Sequence, residues 1–180
     1  MVYHSIEEIF GALDATRARL TESVEGLGEG QEQFRPAPER WSIADICEHL
    51  ALAEAGSVKL FDKLLQKAEA EGRVRAEGDS FAPVSLAERA APFRGQKFQS
   101  PDQIRPTGRV PLAQSLASLA QSLEQIRALR PRLERADCSQ QLFPHPIFGP
   151  LNLYQWLLFT AAHEERHLAQ INALKEEMKG

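Results

Sequence analysis

The sequence predicts an all-α fold, a four-helix bundle with a long crossover between its second and third helices. Three observations carry that expectation. Apolar residues recur at steps of three and four along four long stretches, and capping residues open most of those stretches. About forty residues punctuated by Pro83, Pro92, Pro101, Pro106 and Pro111, with no sustained period, divide the second stretch from the third. The helices are expected near residues 5–26, 42–71, 112–130 and 152–178.

The first helix opens at Ser5, with Glu8 three residues on in the spacing of a capping box. Ile6, Ile9, Phe10, Leu13, Leu20 and Val24 mark its apolar face, and Gly26 and Gly28 close it. A polar loop with Pro36 and Pro38 leads to the second helix, which starts at Ser42 with Asp45 placed to bond free amides and oppose the helix dipole. Its inner face is read as Ile46, His49/Leu50, Ala53, Gly56/Ser57, Leu60/Phe61 and Leu64, and Gly72 stops it. The third helix carries Leu112, Leu116, Leu119, Leu123 and Ile126, and Pro131 is expected to end or kink it. Asn152 and Gln155 open the fourth. Short links join helices one to two and three to four, which makes each pair antiparallel, while the long middle segment permits a crossover.

Length and composition bound the function. A chain of 180 residues fits one domain, residues 1–180, large enough to bury roughly 70% of its unfolded surface. The net charge of −4 gives no basic surface for nucleic acid. No apolar run approaches the roughly 18 residues needed to span a bilayer, and the first residues lack the basic start and apolar core of a signal peptide. Cys47 and Cys138 are too few for a disulfide framework, so a reducing, cytoplasmic setting is expected.

Chemistry concentrates in the last helix. His163 and His167 are four residues apart and therefore share one face. They continue the stripe Trp156, Thr160, His163, His167, Ile171 and Leu174, which should look inward. Two buried imidazoles need compensation, either from a metal ion or from hydrogen bonds to backbone, and the spacing alone leaves both open. The string His163-Glu164-x-x-His167 also matches the zinc-protease motif, with Glu164 as general base. That reading lacks a third ligand: no histidine follows His167, and Glu176 and Glu177 lie more than two turns away. His49 is the remaining histidine on the inner face of a long helix. If helices two and four pack together, His49, His163 and His167 make a facial three-nitrogen set with one open side, the pattern of a catalytic rather than a structural site. His4 sits at a terminus, and His145, in a proline-bound loop, is read as shaping the entrance to the last helix.

Other residues receive a weighed reading. Asp45, one turn before His49, suits both the helix start and a hydrogen bond to the imidazole. Glu164 lies about 100° around the helix from His163 and is read as solvated or salt-bridged. Trp41 and Trp156 flank the site in sequence and are read as core aromatics before substrate walls. Arg73, Arg75, Arg89, Arg94, Arg105 and Arg109 could cap the site and attract a carboxylate, although a solvated loop explains any one of them.

The segment Arg40-Trp-Ser-Ile-Ala-Asp-Ile-Cys-Glu-His-Leu50 resembles the second-helix signature of the DinB-like superfamily. The segment His145-Pro-Ile-Phe-Gly-Pro-Leu-Asn-Leu-Tyr-Gln-Trp-Leu157, with His163-x3-His167 and Gln170-Ile171, resembles its C-terminal signature. The resemblance implies an up-down-down-up bundle and a divalent metal, commonly nickel, zinc or iron, on His49, His163 and His167. It also implies an enzyme acting on a small molecule, foremost a thiol-dependent S-transferase that uses a low-molecular-weight thiol as a metal-bound thiolate. A metal-dependent hydrolase, or a non-catalytic, stress-associated metal-binding bundle, are the other classes. A homodimer is expected, with Val58 and Phe159 as apolar residues beyond a minimal core.

Overall fold

The computed structural model describes residues 1–75, 81–93, 96 and 98–179. Four long helices dominate it: α1 (Ile6–Val24), α2 (Ile43–Ala70), α3 (Leu112–Leu133) and α4 (Leu153–Glu177). Their starts are fixed locally. Ser5 Oγ accepts from the Glu8 amide at 3.0 Å, while the Glu8 carboxylate turns back to the His4 amide, one residue before the cap. Ser42 with Asp45 and Asn152 with Gln155 form complete reciprocal capping boxes on α2 and α4. Gly26 and Gly72, just past the ends of α1 and α2, take φ of +71° and +67°, which favours glycine.

Cross-helix contacts give the direction of each helix. Arg17 meets Glu164, and Ser23 meets Asn172 and Lys175, so α1 and α4 run parallel. Glu48 holds the residues leading into α3, and Arg132 near its end bonds Asp62 and Glu69, so α2 and α3 also run parallel. Arg40 meets Glu177 while His49 meets His163, so α2 and α4 are antiparallel. The order is therefore up-down-down-up. The helices that short links join in sequence do oppose each other in direction. They do not pack side by side, because the links at 25–42 and 134–152 are long enough to cross the end of the bundle.

Three details depart from the sequence reading. Helix α3 runs through Pro131 to Leu133, because the proline falls in the last turn. One backbone bond is lost there, while Glu134 and Ala136 still donate to Arg130 and Arg132 and Leu133 stays fully buried. The buried stripe of α2 passes through Cys47, Leu50, Glu54, Phe61, Leu65 and Ala68, and leaves Gly56 exposed and Ala53 and Ser57 half-buried. The link before α4 folds as a hairpin, β1 (Leu142–His145) against β2 (Gly149–Asn152), in the register Phe143↔Leu151 and His145↔Gly149. It adds two short strands to a helical fold.

The core is divided. One apolar cluster gathers Ile9, Leu13, Phe61, Leu65, Ile126 and Leu157, and the other gathers Leu20, Ile43, Leu50, Leu119, Leu168 and Ile171. Between them lies a charged layer with a member from every long helix. Arg17 of α1 bonds Glu54 of α2 at 2.5 Å and Glu164 of α4 at 2.6 Å, and also donates to the Leu119 carbonyl of α3. All three side chains are buried. Val58 and Phe159 pack on the first cluster rather than standing free, so they give no support to a dimer. No described helix is long and apolar enough to cross a membrane.

Candidate metal centre

The three histidines named from the sequence come together. His49 Nε2 lies 3.2 Å from His163 Nε2, which lies 3.1 Å from His167 Nε2. The i,i+4 spacing on α4 stacks two rings along one face, and the antiparallel crossing of α2 brings the third to them. The outer nitrogens of two rings are already engaged. His49 Nδ1–H donates to the Ile104 carbonyl at 2.7 Å, and His167 Nδ1–H donates to Gln170 Oε1 at 2.8 Å. With those protons placed on Nδ1, both Nε2 atoms carry bare lone pairs. A proton on His163 Nε2 can serve only one of them, so three converging nitrogens are left short of a positive centre. Two ligands each about 2.0–2.1 Å from one ion are separated by about 3.0–3.4 Å, and both measured separations fall in that range. Neutral imidazoles in this arrangement suit a divalent borderline metal.

Burial keeps the rings neutral. Desolvation pushes His167 down to about 4, with the neighbouring His49 adding to it. Desolvation, then His167 and His49, hold His163 well below its ordinary value, and desolvation also lowers His49 despite its bond to Ile104.

The central segment builds one wall of the site. Glu48, buried beside His49, accepts from Thr107 N at 2.8 Å, Thr107 Oγ1 at 2.7 Å and Gly108 N at 3.0 Å. Those three bonds hold the strap that presents the Ile104 carbonyl. Gly108 has φ +71°, and a Cβ there would lie 3.3 Å from Asp45 Oδ1. Asp45 itself does not reach an imidazole. It caps Ser42 and takes a forked ion pair from Arg35, so the helix-start role prevails. Glu164, read as solvated or salt-bridged, is salt-bridged and fully buried, about a quarter-turn around α4 from the histidines and facing Arg17. It cannot act as the base of a zinc protease.

A cleft of about 1120 Å³ opens over the triad. Trp41 forms part of its wall, half-buried, with its ring centroid 5.0 Å from His49 and 6.4 Å from His167. Trp41 also packs against the second apolar cluster, so it is both a core aromatic and a wall of the cleft. Trp156 does belong to the core, its indole N–H bonded to the Phe143 carbonyl. His145 shapes the hairpin turn, as expected, and also lines the cleft. Of the arginines in the central segment, Arg105 lines the cleft. Arg73 pairs with Glu71, Arg75 packs on Phe81 and Tyr154, and Arg89 donates to the Phe148 carbonyl. Arg94 lies outside the described residues. Arg166, which the sequence reading passed over, lines the cleft between the two α4 histidines. Cys47 and Cys138 are free and buried away from the cleft, and burial pushes their thiols up to about 12 and about 11.

The sequence profile of the DinB superfamily matches residues 12–171. The chain belongs to the DinB superfamily. A relative is the uncharacterized protein YuaE of Bacillus subtilis (strain 168), 28% identical over 172 residues that cover 91% of this chain and 94% of that protein. Two solved structures share the bundle at 20% identity. YfiT from Bacillus subtilis, described as a probable metal-dependent hydrolase with an unusual four-helix bundle topology, aligns with a TM-score of 0.62 over 96% of this chain and 87% of its own. TT2238, described as a four-helix bundle protein, aligns with a TM-score of 0.57 over 93% of this chain and 98% of its own. The parallel pairing of α1 with α4 and of α2 with α3 is thus the topology of a DinB superfamily chain.

Proposed function

We propose that this chain is a metal-dependent hydrolase acting on a small molecule in the cleft above His49, His163 and His167. The observation that carries the reading is the convergence of three histidine Nε2 atoms at the floor of an open, largely apolar cleft. Nickel, zinc and iron all suit three neutral imidazoles. When bound, such an ion supplies a Lewis acid that lowers the pKa of a water or thiol at its open position.

The chain's own residues prepare that chemistry. His49 and His167 are oriented from behind by Ile104 and Gln170, which fixes the tautomer that presents Nε2 to the cleft. Trp41 covers one side of the ring cluster and keeps bulk water from it. Arg105 and Arg166 put positive charge at the lining, which suits an anionic group on the substrate. Hydrolysis is preferred to thiol transfer because YfiT, of the same fold, is described as a probable hydrolase. Among the described residues, no group that lines the cleft singles out a thiol as partner.

The test is to load the protein with cobalt(II), measure the metal content, and follow the electronic spectrum and the release of p-nitrophenol from simple aryl esters. One cobalt per chain, lost in His49→Ala, His163→Ala and His167→Ala, is expected together with ester turnover. Cobalt content unchanged by all three substitutions would remove the reading. A spectrum shifted by low-molecular-weight thiols without any ester turnover would replace hydrolysis with thiol transfer.

A further inference from the structure

We infer that His145 is a substrate-binding residue, a hydrogen-bond donor of fixed orientation whose Nε2–H meets an acceptor oxygen of a molecule held at the three histidines. The inference rests on the reading that the cleft admits a substrate there. His145 ends β1, and its Nδ1 accepts from two consecutive amides of the turn, Ile147 N at 3.1 Å and Phe148 N at 3.2 Å. An atom that accepts twice carries no proton, so in the neutral ring the proton must sit on Nε2. The tautomer is therefore dictated by the backbone of the turn.

The ring is also clamped in place. Phe148 stacks on it at 4.7 Å and 18°, Phe159 meets it edge-on at 4.4 Å, and Trp156 lies 5.1 Å away. Only 7% of the residue is exposed. An N–H sealed in such surroundings would be left without a partner, which proteins avoid. Nε2 has no partner among the described residues and is not fully enclosed. The ring lines the cleft, and that is where the free N–H finds its access. Burial lowers the pKa of His145 to about 4, so the ring stays a neutral donor across the working range.

Its distance from the triad sets the kind of molecule it meets. Phe159 lies between His145 and His163, 4.4 Å from one ring centroid and 5.3 Å from the other, so the two histidine rings are less than 10 Å apart. A molecule with one oxygen head at the triad and a second acceptor oxygen a few bonds away can engage both. The substrate class is therefore an ester or amide whose reacting carbonyl meets the triad and which carries a second acceptor oxygen a few bonds away, and simple diacids resemble its hydrolysis product.

Succinate, glutarate and the one-headed butyrate serve as probes, titrated into the cobalt-loaded protein and read from its electronic spectrum. In the wild type at least one two-headed acid should bind about tenfold tighter than butyrate, the worth of one hydrogen bond to a charged group. In His145→Phe that advantage should vanish with cobalt content unchanged. His145→Gln, which can still accept from the turn and donate to the cleft, should keep part of it. An advantage undiminished in both variants, or none in the wild type, overturns the inference. If no acid moves the spectrum while cobalt stays bound, the open position is missing and the proposed hydrolase fails as well. Should His145→Phe not fold, nitrogen NMR of His145 in the zinc-loaded wild type decides. A Nε2–H proton on a neutral ring that shifts on adding glutarate supports the contact, and an unmoved signal refutes it.

Discussion

Glu48 and His49, adjacent in α2, hold two points of one strap: the carboxylate binds Thr107 and Gly108, and the imidazole binds the carbonyl of Ile104. The strap is thereby locked to the same helical turn that supplies a candidate ligand, and the orientation of His49 depends on its neighbour.

Glu48→Ala is expected to weaken metal binding by about 10–100-fold, the usual effect of losing support behind a ligand. Glu48→Gln should fall between that variant and the wild type, since an amide oxygen can still accept. Competition with a chromogenic chelator measures it, and an unchanged affinity in the alanine variant would show that the strap does not orient His49.

The pH dependence of metal binding follows from the depressed histidines. Metal needs neutral imidazole, and His167 holds that state down to about 4, against 6.5 for the unperturbed group. Zinc binding at pH 6 should therefore release close to no protons, as calorimetry in buffers of different ionisation enthalpy can show. In the metal-free protein the sign is that of a lowered pKa. The contribution to stability is full above 6.5 and is lost as pH falls toward about 4, where the unfolded chain binds protons that the folded chain refuses. Release of two or more protons at pH 6 would contradict this.

The charged layer gives the opposite trend at higher pH. Desolvation, then the neighbouring Glu164 carboxylate, raise Glu54 to about 8, above its ordinary 4.5. Its contribution is full below 4.5 and is lost as pH rises through about 8. Urea unfolding should show stability declining over that window in the wild type and a flatter profile in Glu54→Gln. A decline of equal slope in both proteins would assign the effect elsewhere.

Arg17→Met should be costly, by about 3–5 kcal/mol at neutral pH, because it removes the guanidinium to which the buried Glu54 and Glu164 side chains both bond. The triple variant Arg17→Met, Glu54→Leu, Glu164→Leu should recover much of that loss. A loss below about 1 kcal/mol in the single variant would mean that water enters the layer.

Trp41 should report on the site. Nickel binding is expected to quench its emission, since its ring lies 5.0 and 6.4 Å from two of the three imidazoles. Trp41→Phe should abolish most of the response and leave the steady emission of the core Trp156. Quenching that persists in Trp41→Phe would place the metal elsewhere.

Much of this was legible in the sequence because it is written in local spacing. Ser42 with Asp45 and Asn152 with Gln155 announce their helices, and His163 with His167 share a face by geometry alone. Other features have no such signature. The Ile104 carbonyl is backbone, so no residue type marks it. Nothing in the sequence marks Glu54, Glu164 and Arg17 as buried, and only the crossing of the helices brings them together. The hairpin was hidden by Pro144 and Pro150, paired across two four-residue strands where proline argues against a ladder. Gln170, by contrast, is marked by spacing, three residues after His167 and within reach on the same helix.

The pairing of α1 with α4 governs how the molecule assembles. The first helix lies along the last, and has only sparse contact with the helix that follows it in the chain. Most of its native contacts thus join residues far apart in sequence, an arrangement that slows the search for the native state. On the ribosome, α1 waits as an amphipathic segment until α4 has been made, and the three histidines meet only then. Assembly of the three-histidine cluster is consequently a late, post-synthetic event, and a chain cut short before α4 has neither its first helix docked nor two of its three imidazoles.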